Sequence, residues 1–242
     1  MMCKVMGIVN VTPDSFSDGG KYFAPEEAVR RAKNLVAEGA DILDVGGEST
    51  RPGATPISWE EEWQRIEPVL GQLAARDSRL ATCISVDTYH PETAERAIKA
   101  GARIINCVYS EPIPEMLKLI EGNDVELVVP YRLGDEDFRR ETLDANIASR
   151  LYLDPLIGFN TTREEDIALL RSIPELAKRG RVLVGASRKR IVKKLVGAKT
   201  SGKDIAGNLA IALYAAANGA SAVRVHDVKE TVQALKVWNS LR

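Results

Sequence analysis

Short apolar runs alternate with amphipathic stretches from one end of the chain to the other. The runs at 4–9, 41–45, 82–86, 103–106, 125–129, 151–153, 182–185 and 222–225 have the length and composition of buried strands. Between them, 25–38, 58–75, 91–100, 113–121, 162–178, 204–218 and 228–241 read as helices. Their starts carry helix signals: Pro25-Glu26-Glu27, Ser58-Trp59-Glu60-Glu61 and Thr161-Thr162-Arg163-Glu164-Glu165. Three helices run into a glycine just before the next strand, at Gly39, Gly101 and Gly219, the signature of a left-handed C-terminal cap.

Eight strands separated by helices predict a parallel sheet, because parallel neighbours need a crossover connection. Eight such units close most readily into a (β/α)8 barrel, here a single domain over 1–242 with no linker or low-complexity tract. The fifth unit is shortened. Between Val129 and Leu151 there is room only for a short helix around 135–147, with a charged start and little apolar periodicity.

Composition narrows the class. A chain of 242 residues suits a barrel folded as one unit. Thirty-three basic residues against thirty-four acidic ones leave no overall field, which argues against non-specific nucleic-acid or membrane partners. Any bound anion must be held by local residues. The amino terminus runs directly into a strand-like segment, and no apolar run approaches the roughly 18 residues of a membrane span. Cys3, Cys83 and Cys107 are widely spaced and odd in number, which suits reduced thiols and a cytoplasmic, soluble protein.

In such a barrel the chemistry sits at the carboxyl ends of the strands, and the function-capable residues of this chain follow its strands. After the first strand comes Asn10-Val11-Thr12-Pro13-Asp14-Ser15-Phe16-Ser17-Asp18-Gly19-Gly20. The second ends in Asp44-Val45-Gly46-Gly47-Glu48-Ser49-Thr50-Arg51-Pro52-Gly53. Later ends give Ser85-Val86-Asp87-Thr88, Asn106-Cys107, Asp154-Pro155, Ser187-Arg188-Lys189 and Arg224-Val225-His226-Asp227. Strand alternation places Ser85 with Asp87, Arg224 with His226 and Ile104 with Asn106 on the inner face, and turns Cys107 outward.

Two chemistries follow. Arg51, Arg224 and His226, with Thr50 and Asn10, form a set able to hold an anion such as a phosphate, since arginine supplies a bidentate fork. Asp87, Asn106, Asp154 and Lys189 suit the edge of a planar heterocycle: a carboxylate accepts parallel N–H bonds from an amino-pyrimidinone, and a lysine donates to its carbonyl. Each residue has an ordinary alternative. Arg51 and Lys189 also read as surface cations, His226-Asp227 as a helix start, Asp154-Pro155 as a turn, and Asp44 as a structural acceptor. Their convergence on one rim favours a site.

Together these strings resemble the dihydropteroate synthases, folate-pathway enzymes of the pterin-binding barrel family, and they occur in family order across nearly the whole chain. The resemblance implies condensation of 6-hydroxymethyl-7,8-dihydropterin diphosphate with 4-aminobenzoate, releasing pyrophosphate. It implies that Asp87, Asn106, Asp154 and Lys189 hold the pterin. Asn10, Thr50, Arg51, Arg224 and His226 would hold the diphosphate, with Mg²⁺ at Asn10. Phe16, Pro52 and Lys189 would meet the 4-aminobenzoate, and Lys189, Arg224, Asp14 and Arg51 would act in catalysis. A homodimer through the last helices is the family's habit.

Three strings depart from the family pattern. The usual Asn-Asp after the fourth strand is Asn106-Cys107. The usual Met-His pair and longer helix after the fifth become Val129-Pro130-Tyr131-Arg132 and a truncated segment. The usual Asp-Pro-Gly-x-Gly-Phe-Gly-Lys after the sixth becomes Asp154-Pro155-Leu156-Ile157-Gly158-Phe159-Asn160-Thr161, losing two glycines and the lysine. Two alternatives follow. One is a diverged homologue that binds a pterin or phosphate ligand with weak or different activity. The other is a pterin-dependent methyltransferase domain, which would not need the loops at Thr12-Pro13-Asp14 and Thr50-Arg51-Pro52.

Overall fold

The computed structural model describes residues 2–12, 25–50, 54–74, 83–132, 143–197 and 204–241. Eight parallel strands close into a barrel in chain order: β1 (Lys4–Asn10), β2 (Ile42–Gly46), β3 (Cys83–Asp87), β4 (Ile104–Asn106), β5 (Glu126–Pro130), β6 (Leu151–Asp154), β7 (Arg181–Val184) and β8 (Ala222–Val225). The ring closes where β8 pairs with β1, Met6 standing opposite Arg224.

Alternation along each strand sorts the side chains. Met6, Ile42, Ile104, Val128, Tyr152, Leu183 and Ala222, with Cys83 beside them, give one residue per strand to a small apolar plug inside the barrel. The neighbouring positions, among them Val5, Leu43, Val86, Ile105, Leu127, Leu153, Val184 and Val223, belong to the larger core against the helices. Two residues beyond the plug on the same strands come Asp44, Ser85, Asn106, Asp154 and Arg224, all buried or half-buried. The apolar plug is thus the floor of a polar mouth.

The helices are α1 (Pro25–Ala37), α2 (Trp59–Ala74), α3 (Pro91–Lys99), α4 (Ile113–Glu121), α5 (Ala145–Ser149), α6 (Arg163–Arg171), α7 (Ile173–Arg179), α8 (Arg190–Val196), α9 (Ile205–Ala217) and α10 (Val228–Ser240). The three cap glycines behave alike. Gly39, Gly101 and Gly219 take φ of 100°, 102° and 96°, and the residue after each donates its N–H back to the last helical turn. At the start of α6, Thr162 Oγ1 accepts from Glu165 N while Glu165 Oε2 accepts from Thr162 N, a capping box.

Three expectations change. The helix predicted over 162–178 is two helices, because Pro174 lacks an N–H and its ring clashes with the preceding turn, so the chain restarts at Ile173. The short fifth helix lies at Ala145–Ser149, capped by Asp144, which accepts from Asn146 N at 2.8 Å. It therefore starts later than the predicted 135, and 133–142 fall outside the described residues. A further helix not expected from the sequence, α8, follows the turn after β7 and ends on Gly197 at φ 68°.

Candidate active site

Asp44 is the hub of the mouth. It is fully buried on β2 and accepts from Ser85 Oγ at 2.6 Å, Asn106 Nδ2 at 3.1 Å and Arg224 Nε at 2.5 Å. Arg224 spans from there to Asp87, whose Oδ2 accepts from Nη2 at 2.6 Å. Strand register makes this possible: Asp44 stands beside Ser85, and Asp87 beside Asn106. The reading of Asp44 as a structural acceptor holds, and it acts inside the site.

The charges are mutually dependent. Burial pushes the Asp87 carboxyl above its ordinary value, against the pull of Arg224. Burial alone would lower the Arg224 guanidinium, but Asp44 and Asp87 hold it well above its ordinary value, so it stays charged. By its place at a strand end and its charge, Arg224 groups with the anion-holding residues of the first, second and eighth strands. The structure ties it to Asp44 and Asp87, so the two sets meet at this guanidinium. An arginine carries more N–H donors than these two contacts use, so the same side chain still has donors for an anion.

Lys189 forms a second centre, at the turn after β7. Its Nζ donates to Ile157 O at 2.6 Å and lies 4.4 Å from the centroid of the Phe159 ring. Burial pushes its ammonium down to about 8, with Asp154 opposing the shift. Asp154, buried at the end of β6, accepts from Leu156 N at 2.8 Å, and burial raises its carboxyl against the pull of Lys189. Ile157 and Phe159 meet Lys189 without being among the residues that the strand-end pattern singles out. An aromatic five residues past a strand-end aspartate was the available signal.

The turns after β7 and β8 hold each other. Arg188, at φ 59°, pairs with Asp227, while its N–H donates to Asn208 Oδ1 at 2.9 Å. Ser187 Oγ lies 3.2 Å from His226 Nδ1 and accepts from His226 N at 3.3 Å. Arg31 donates to His226 O at 2.8 Å. His226 is thereby fixed at the rim.

Asn10, half-buried, ends β1 at the same rim, and Thr50, also half-buried, lies on the loop after β2. That loop leaves the strand through Gly47, where a Cβ would sit 2.9 Å from Glu62 O and from Ile66 Cγ2, so only glycine lets the chain lie against α2. Glu48 anchors it next, accepting from Tyr89 OH at 2.8 Å and facing His90 Nε2 at 3.2 Å. Asp14, Phe16, Arg51 and Pro52 lie outside the described residues. Cys107 is buried in the helix-facing core, as alternation predicts, and burial pushes its thiol up to about 12. It has no part in the mouth.

The chain is similar to known proteins over nearly its whole length. Residues 6–226 match the family model described as pterin binding enzyme. The dihydropteroate synthase of Staphylococcus haemolyticus is 38% identical over 95% of this chain and 91% of its own length. That of Neisseria meningitidis serogroup B is 40% identical over 98% and 92%. Among solved structures, Xanthomonas albilineans dihydropteroate synthase with 4-aminobenzoic acid superposes with a TM-score of 0.87 at 41% identity, covering 99% of this chain and 93% of that one. The same enzyme in complex with 7,8-dihydropteroate gives 0.84 at 37% identity, with coverage of 99% and 94%. With that family match and these identities over nearly the whole chain, the chain belongs to the dihydropteroate synthases of the pterin-binding enzyme family.

Proposed function

We propose that this chain joins 6-hydroxymethyl-7,8-dihydropterin diphosphate to 4-aminobenzoate, giving 7,8-dihydropteroate and pyrophosphate. The observation that carries this reading is the buried mouth itself. Two cations, Arg224 and Lys189, stand among three carboxylates, Asp44, Asp87 and Asp154, over an apolar floor. Such an array matches a flat heterocycle with donors and acceptors on its edge and an anion at one end.

In this reading Asp87, Asn106 and Asp154 accept from or donate to the pterin edge, and Lys189 donates to it from the side of the Phe159 ring. The reaction breaks the bond between the pterin methylene carbon and the diphosphate oxygen, whose electron pair leaves with pyrophosphate. The arylamine lone pair forms the new C–N bond, and the amine proton passes to solvent or pyrophosphate. Positive charge develops on the methylene carbon as negative charge gathers on the leaving group. Cations already in place, with no reorganisation at the moment of reaction, stabilise that separation. Arg224 serves this role from β8, and His226, Asn10, Thr50 and Arg51 are assigned to the same diphosphate, with Asn10 on the neighbouring strand β1. Asp14, Phe16 and Pro52 complete the 4-aminobenzoate side, and Asp14 and Arg51 share in catalysis. No covalent nucleophile is required.

Mg²⁺ fits the rim at Asn10. Its amide oxygen is a hard donor, and magnesium is commonly held by one or two protein oxygens together with substrate phosphates and water. Among the described residues no group of three His, Cys, Asp or Glu side chains is placed to hold a metal alone, so the diphosphate would bring much of the shell. When bound, the ion neutralises charge on the departing pyrophosphate.

The partners in this reading are the two small substrates and a second copy of the chain through the last helices. The exposed apolar side chains Leu195, Val196, Tyr214, Val237 and Leu241 support that pairing; sedimentation at the monomer mass would overturn it. No described helix is long and apolar enough to cross a membrane. The reduced, widely spaced cysteines support a cytoplasmic setting. The direct test is an assay with Mg²⁺ and both substrates, following pyrophosphate and dihydropteroate together. Equal release of both is expected, and a folded protein that forms neither would overturn the assignment.

A further inference from the structure

The two departures from the family pattern after β5 and β6 meet in space. Arg132, from the segment in which the family's Met-His pair is missing, donates from Nη2 to Phe159 O at 3.1 Å and from Nε to Pro155 O at a longer 3.5 Å. Both acceptors lie in the altered loop between β6 and α6.

That loop keeps an unusual backbone without the residues that make it easy. Where the family string has three glycines, this chain has Leu156, Gly158 and Asn160, and all three are left-handed, at φ 57°, 80° and 51°. Asparagine visits this region with some ease and leucine does not, so contacts must hold the loop in shape. Asp166, buried on α6, accepts from Gly158 N at 2.7 Å and Thr161 Oγ1 at 2.5 Å. Arg190, at the start of α8, donates to Thr161 O. Arg132 holds the other end, at Pro155 and Phe159.

The purpose of the shape is visible at Lys189. Ile157 O accepts from its Nζ, the Phe159 ring lies beneath its ammonium, and a Cβ on Gly158 would stand 3.0 Å from its Cδ. The hydrogen bond and the ring contact at the lysine tip both come from this one loop.

We propose that Arg132 is a positioning residue for Lys189, acting through the carbonyls of Pro155 and Phe159 to keep the loop after β6 in its left-handed form. The altered segments after β5 and β6 are then one compensated unit: the arginine supplies from outside the restraint that the loop's own residues do not. The inference rests on the pterin-binding role proposed for Lys189.

The test is a double-mutant cycle read by calorimetry with 6-hydroxymethyl-7,8-dihydropterin diphosphate alone, without arylamine, so that no turnover intervenes. Arg132→Ala is expected to weaken binding about tenfold, roughly 1.4 kcal/mol, and to raise KM for the pterin, with kcat falling far less than in Lys189→Ala. Arg132→Lys, which can still reach a carbonyl, should recover part of the loss. In a Lys189→Ala background the same Arg132→Ala change should cost less than about twofold. Amide exchange over 156–161 should quicken in Arg132→Ala whether or not the protein turns over.

An equal penalty in both backgrounds, or unchanged exchange over 156–161, would overturn the proposal. Failure of the wild-type protein to make dihydropteroate would instead overturn the assigned reaction. The exchange measurement separates the two failures.

Discussion

Asp44, Asp87, Asn106 and Arg224 take their places from strand register, whereas Lys189 takes its place from a loop. On the first side all four residues lie on barrel strands, and neighbours are set by pairing such as Asp44 beside Ser85. On the second, Ile157 and Phe159 lie beyond β6 on a backbone with three left-handed residues, held by Asp166, Arg190 and Arg132. The register-fixed side keeps an arginine charged between two carboxylates. The loop-fixed side lowers a lysine towards neutrality. The barrel thus supplies one set of contacts from its strands and another from a loop, and two of the three departures from the family pattern follow β5 and β6.

The comparison breaks most visibly at Arg224. Arg224→Ala leaves Asp44 and Asp87 buried without their cation, a loss of about 3–5 kcal/mol of stability, and removes a preorganised donor, lowering turnover by about 10²–10³. Urea unfolding beside rates taken where the variant is still folded will separate the two effects. Pairing Arg224→Met with Asp44→Asn should restore part of the stability and none of the activity.

Gly47→Ala tests the backbone on the same side. The new Cβ would meet Glu62 O, which cannot yield as a side chain would, so a loss of about 1–3 kcal/mol is expected by thermal unfolding. Turnover should fall as well, because the loop bearing Thr50 leaves the strand at this point.

On the loop-fixed side the sign of a pH effect is determined. Lys189 is held near 8 rather than its ordinary 10.5. If its charge is needed, kcat/KM falls as pH rises through about 8, by about tenfold per unit above it. Asp154 favours the charged lysine, so Asp154→Asn should move that limb to lower pH; a limb that moves upward would contradict the assignment. The smallest effect is Leu156→Gly. Relief of the left-handed strain, offset by glycine's greater freedom when unfolded, leaves a gain of up to about 1 kcal/mol in stability.

This division also explains what could be seen in the chain. The strands, the closure of the barrel and the inner faces of Ser85, Asp87, Asn106, Arg224 and His226 follow from alternation, which a sequence displays directly. The pairing of Arg224 with Asp44 and Asp87 was not legible, since it spans 180 and 137 residues of chain and depends on barrel closure. The loop after β6 showed only lost glycines. That Leu156 and Asn160 keep a positive φ is a tertiary fact, and the loop is held by Arg132 after β5, Asp166 on α6 and Arg190 on α8. Helix α8 is hard to see in sequence because its one short run begins at Arg190, directly after Lys189, with no separate start signal.

The account turns on Lys189 serving a pterin-condensing reaction, and the most direct test compares wild-type and Lys189→Ala protein in the same assay of dihydropteroate formation. The wild type should release one pyrophosphate per dihydropteroate. Lys189→Ala should form product at least about 10²-fold more slowly, with its unfolding midpoint close to that of the wild type. A folded wild-type protein that forms no dihydropteroate, or a Lys189→Ala variant at nearly full rate, would contradict it.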